Sequence, residues 1–80
     1  MKEQKLESLL QRIGCGLSQL RALKGYKTIK DFALDHSLPF IQYWRIEKGK
    51  ANITLKTLMS LLSIHQISVQ DFFNLVKVYC

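Results

Sequence analysis

Leu6, Leu9, Leu10, Ile13, Leu17 and Leu20 repeat at the roughly 3.6-residue period of an α-helix. Beyond Leu20 the chain is punctuated so closely that it divides into short helices. Gly25 ends the first segment, which spans about Lys5 to Lys24. Thr28 opens a second, with Asp31 standing where a capping box usually has Glu. Pro39 drives Leu38 out of the helical region and starts a third at or just after itself, and Gly49 stops it. Thr54 caps a fourth, and Ser68, with Asp71 behind it, opens a fifth that Val78, Tyr79 and Cys80 can extend. The expected fold is therefore all-α. The second and third helices are short and separated only by about His36 to Leu38, the spacing of a helix-turn-helix.

Each helix has a face to bury. In the first, Gly14 and Gly16 interrupt the leucine stripe at a cost of about 1 kcal/mol each relative to Ala, and close helix–helix approach is one physical reason to keep them. Ile29, Phe32, Ala33 and His36 share a face in the second helix. Leu55, Leu58, Met59, Leu61 and Leu62 form the stripe of the fourth, and Val69, Phe72, Phe73 and Val76 that of the fifth. The third helix is the unusual one. Tyr43 and Ile46 lie on its inner side, whereas Ile41 lies nearly opposite, flanked by Trp44, Arg45 and Lys48. Large exposed apolar groups beside cations mark a surface that touches something.

Composition narrows what that something is. Eighty residues form one small domain, 1–80, able to bury about 60% of its unfolded surface. A hydrophobic share of 48% excludes simple disorder, and four Gly and one Pro argue against a turn-rich β domain. No apolar run approaches the ~18 residues of a membrane span, and the charged N-terminal residues lead into a helix rather than a signal peptide, so cytoplasmic location is expected. Cys15 and Cys80 have neither metal-site spacing nor the look of a disulfide framework and are expected to be two reduced thiols. The net charge of +6 favours an anionic partner. Between residues 24 and 56, seven basic side chains (Lys24, Lys27, Lys30, Arg45, Lys48, Lys50, Lys56) face only Asp31, Asp35 and Glu47.

Arg21, Gly25, Phe32, Ala33, Leu38, Tyr43, Ile46, Glu47, Gly49, Leu55, Leu58, Ile67, Phe72 and Phe73 together resemble the phage-repressor/Cro-type (Xre family) helix-turn-helix domain over about residues 10 to 75. The resemblance implies a compact five-helix repressor-type domain with a central helix-turn-helix at about 28–48. It also implies a homodimer, with helix three of each copy in the major groove of a pseudo-palindromic operator, the half-sites about one helical turn apart. By the same resemblance Arg21 and Glu47 are expected to form a partly buried structural ion pair. The chain departs from the family pattern in a longer Gly25-to-Ala33 interval, in Ser37 at a turn usually held by Gly, and in His65 at a core position common for Leu, where a structural imidazole is expected. It departs most at Phe40, Ile41 and Trp44, where polar residues are usual.

The expected function is sequence-specific binding of double-stranded DNA by a small transcriptional regulator, a repressor by the resemblance. Arg45 suits the O6 and N7 of guanine, Gln42 suits adenine, and Phe40 and Ile41 suit thymine methyls. Trp44 suits a sugar, a methyl or a phosphate; Lys48, Lys50 and Asn52 suit the backbone after the helix, and Thr28 with its neighbouring N–H groups suits another phosphate. Plainer readings stay open, with Phe40 as a core edge, Gln42 as a solvated boundary residue, and Lys50 and Asn52 as ordinary loop residues. Phe72, Phe73, Val76 and Tyr79 are dimer-interface candidates. The alternative function is a protein-interaction module, adaptor or antitoxin-like, using the apolar face of helix three. No nucleophile–base pair, metal spacing or phosphate loop suggests an enzyme, and no cofactor or metal is expected.

Overall fold

Five helices and the turns between them make up the computed structural model, which describes residues 3–80: α1 (Glu3–Leu23), α2 (Ile29–Asp35), α3 (Phe40–Glu47), α4 (Leu55–Ile64) and α5 (Val69–Tyr79). The all-α expectation is met. Three starts are fixed by hydroxyls: Thr28, Thr54 and Ser68 are extended residues whose side chains accept from the N–H groups of Asp31, Thr57 and Asp71. Pro39 precedes α3 with no side-chain cap, its ring setting the entry angle instead.

The first four helices end the same way. Gly25, Ser37, Gly49 and Gln66 all take positive φ, and each donates its N–H to a carbonyl three residues back. The residue after each, Tyr26, Leu38, Lys50 and Ile67, donates to a carbonyl five residues back. This is the Schellman arrangement, which satisfies the last carbonyls of a helix within a few residues. Glycine takes the left-handed conformation without strain, whereas Ser37 and Gln66 do so with a Cβ.

The core joins Ile13, Leu17 and Leu20 of α1 to Phe32 and Ala33, to Tyr43 and Ile46, to Leu58, Leu61 and Leu62, and to Phe72 and Val76. The glycines of α1 set how close its neighbours come. A Cβ on Gly14 would collide with the backbone carbonyl of Glu47, and one on Gly16 would lie 2.6 Å from Val76 Cγ2 and 2.8 Å from Phe72 Cε1. Thus α3 packs on one side of the Gly14–Gly16 stretch and α5 on the other.

The packing corrects several expectations. Leu55 and Met59 are exposed, so α4 buries a narrower stripe of Leu58, Leu61 and Leu62. Phe72 and Val76 are 0% and 2% exposed. They pack into the monomer core because Gly16 lets α5 settle onto α1, and they are not free to form a dimer interface. Phe73 is half-buried against Phe72, and only Tyr79 of the four interface candidates is exposed. Cys15 and Cys80 are not separate thiols but a disulfide with Cα atoms 6.1 Å apart. The same α1–α5 packing that buries Val76 brings Cys80, whose N–H bonds back to the Val76 carbonyl, beside Cys15.

Candidate nucleic-acid interface

The inner side of α3 is anchored by Tyr43, Ile46 and Glu47, all buried. Glu47 would be costly there alone. Arg21 meets its carboxylate with two hydrogen bonds, Nε at 2.9 Å and Nη2 at 3.2 Å, the side chains being 12% and 2% exposed. The same guanidinium donates to the Tyr26 carbonyl at 3.0 Å and to Ser18 Oγ at 3.2 Å. One side chain thus ties the end of α1, the α1–α2 turn and the end of α3. Gly49 completes the mount: at φ 71°, its Cα faces the α1 backbone so closely that a Cβ would lie 2.7 Å from Gln11 Cα.

Behind α3 lies an aromatic cluster centred on Phe32. Tyr26, His36, Tyr43 and His65 all pack on it, with ring centroids 5.3, 4.5, 5.2 and 5.3 Å away, and His65 is stacked within 2° of parallel. Burial, with the Glu47 carboxylate beside it, holds the Tyr43 hydroxyl far above the ordinary phenol range. Burial also pushes His65 below the usual imidazole value, helped by Lys24 and His36 and opposed by Glu47. His65 is thus packed as a ring, in keeping with a structural imidazole.

The outer side of α3 presents Phe40, Ile41, Gln42, Arg45 and, just past the helix, Lys48, all exposed. Ile41, Arg45 and Lys48 keep helical spacing along one line. Ile41 is 65% exposed, the most exposed apolar side chain of α3. Trp44 departs from expectation. It is half-buried, and the Lys50 ammonium lies over its ring, 5.2 Å from the centroid. The turn at Gly49 brings Lys50 back onto the helix, so the indole is covered rather than offered. Arg45 is exposed but engaged, its Nη2 donating to the Lys50 carbonyl at 2.8 Å.

Lys50 and Asn52 are exposed on the loop after α3, with Ala51 and Ile53 tucked partly inward. Thr28 lies at the surface with its hydroxyl accepting from Asp31 N–H at 3.1 Å, and the Asp31 carboxylate occupies the first turn of α2. A carboxylate there opposes a phosphate at this helix start. Lys27 and Lys30 flank it, both exposed. A pocket of about 270 Å³, lined by Leu20, Leu23, Lys24 and His65, includes none of the α3 side chains. Among the described residues, no three His, Cys, Asp or Glu side chains gather as a metal site, and no helix is long and apolar enough to cross a membrane.

Sequence reasoning missed Tyr26 and Gln66. The hydroxyl of Tyr26 donates to Asp35 at 2.8 Å, bracing the α1–α2 turn against the end of α2. Its place immediately after Gly25, at the second residue of a Schellman end, was the signal available. Gln66 carried no signal of its left-handed backbone. No family model, curated protein or solved structure matches this chain.

Proposed function

We propose that the protein is a sequence-specific double-stranded DNA-binding regulator of the phage-repressor/Cro type, acting as a repressor, with α2 and α3 as its helix-turn-helix and α3 entering the major groove. The observation that carries this reading is the asymmetry of α3. Its inner side is locked to α1 by Arg21, Gly14 and Gly49, while its outer line of Ile41, Gln42, Arg45 and Lys48 is open to solvent. Base readout needs polar or apolar side chains that reach base edges from a rigid element, with cations beside them for phosphates. Gln42 suits adenine, and Ile41, with Phe40 at the helix start, suits thymine methyls. Lys48, Lys50 and Asn52 meet the backbone at the far end.

A homodimer would present two such helices to half-sites about one helical turn apart. With Phe72 and Val76 in the core, the exposed Val78 and Tyr79 of α5 are the remaining tail residues for that contact. A DNA target implies the cytoplasm, where thiol pools keep accessible cysteines reduced, so binding is to be measured with the disulfide both closed and open.

The second reading, a protein-interaction module, is favoured by the exposure of Phe40 and Ile41 and weakened by the covering of Trp44. Selection from random duplex DNA, followed by a salt titration of the enriched site, separates the two. A regulator enriches one sequence family and loses affinity steeply with salt, in proportion to about 0.9 ion per phosphate contact. Enrichment of nothing in either thiol state sinks the regulator reading.

A further inference from the structure

We propose that Trp44 and Arg45 are positioning residues for Lys50, holding its ammonium at the C-terminal end of α3 for a DNA phosphate. The inference rests on the DNA-binding reading and assigns these two side chains a role inside it that neither base readout nor core packing supplies.

Lys50 is held at three points. Its N–H donates to the Arg45 carbonyl at 2.8 Å. Its own carbonyl accepts from Arg45 Nη2, also at 2.8 Å, so the two residues are bonded reciprocally. Its Nζ lies over the Trp44 ring, 5.2 Å from the centroid. Among the described residues, no other lysine ammonium is fixed by a hydrogen bond, an ion pair or an aromatic ring.

The kind of contact matters. A carboxylate would fix the ammonium but cancel its charge. A ring face attracts the cation without neutralising it and leaves its N–H donors for another acceptor. Holding the side chain before binding also reduces the rotamer freedom lost when a phosphate captures it. Arg45, in turn, has its Nη2 engaged by the Lys50 carbonyl, which competes with bidentate contact to guanine. Removing Arg45 should therefore weaken binding to all sequences alike rather than relax one base position.

The test is a double-mutant cycle on the DNA site enriched by selection, using Trp44→Leu, Trp44→Phe, Lys50→Ala and the Trp44→Leu/Lys50→Ala pair. Leucine keeps apolar bulk but has no ring face; phenylalanine keeps the face. Trp44→Leu should weaken binding about two- to fivefold and Trp44→Phe should restore most of it. Lys50→Ala should lower the slope of log affinity against log salt by about one. In the Lys50→Ala background, Trp44→Leu should have no further effect. In the free protein, the Lys50 side-chain methylene protons should show an upfield ring-current shift in NMR that Trp44→Leu abolishes.

Additive losses, with Trp44→Leu equally harmful with and without Lys50, would overturn the proposal and leave DNA binding intact. A ring-current shift absent from the free wild-type protein would also overturn it. A wild-type protein that binds no DNA would overturn it together with the reading it rests on, and the two failures are distinguished by the wild-type titration.

Discussion

Arg21 shows how much of this fold can hang on one side chain. Its four hydrogen bonds go to the Glu47 carboxylate, the Tyr26 carbonyl and Ser18 Oγ. Arg21→Met should lower stability by about 3–5 kcal/mol in urea unfolding at neutral pH, because the Glu47 carboxylate stays buried without its cation. An unchanged midpoint would show that Glu47 is solvated after all. The backbone at Gln66 offers the opposite test: Gln66→Gly should raise stability by up to about 1 kcal/mol, since glycine takes φ 53° without the Cβ clash. At His65 the folded value lies below the ordinary 6.5, because burial, Lys24 and His36 resist the charge that Glu47 favours. As pH falls through about 6.5, the unfolded chain takes up a proton that the folded state resists, so this contribution to stability is lost on acidification. Wild type should therefore lose more stability between pH 7 and 5 than His65→Leu does, measured by denaturant midpoints. The hydroxyl caps at Thr28, Thr54 and Ser68 were legible in the sequence because each acts within three residues of itself. The covering of Trp44 was not, because it depends on a loop turning back at Gly49.

At the scale of elements, α1 is the organiser. Gly14 seats α3 and Gly16 seats α5, so the two glycines that weaken α1 as an isolated helix enable its two closest contacts. Gly14→Ala pushes a Cβ into the Glu47 carbonyl, a backbone atom that cannot swing aside. We expect a loss of about 1–3 kcal/mol, with chemical-shift changes concentrated in residues 43–50. Gly16→Ala meets side chains instead, so its perturbation should centre on Phe72 and Val76. Periodicity in the sequence identified the helices, and interrupted periodicity identified this close approach. It did not say which helices approached, and that gap accounts for the misassigned Phe72 and Val76. Both residues carry the pattern of an apolar face, and only the geometry of α1 shows that the face is used inside the molecule. The overlong stripe of α4 has a similar cause: Leu55 lies at its first position and Met59 one turn on, both beyond the reach of neighbours that cover Leu58 and Leu62.

For the whole molecule, the expected class was right because five capped, periodic segments leave little choice in so short a chain. The interface was legible as a helix with an odd outer face; its division into open residues and a covered tryptophan was not. Another long-range feature the sequence concealed is the Cys15–Cys80 bond, which spans 65 positions and needs the full fold to bring its ends together. Opening it with a thiol reductant should lower stability by about 2–4 kcal/mol, seen as a drop in thermal midpoint that Cys80→Ser reproduces and that further reductant does not deepen. While the bond is closed, residues 15 to 80 form a covalent ring, and all of α2, α3 and α4 lie within it. A protease that cuts once in the loop after Gly49 therefore separates nothing. The two pieces stay joined through sulfur, run as one band on a denaturing gel without reductant, and part only when thiol is added.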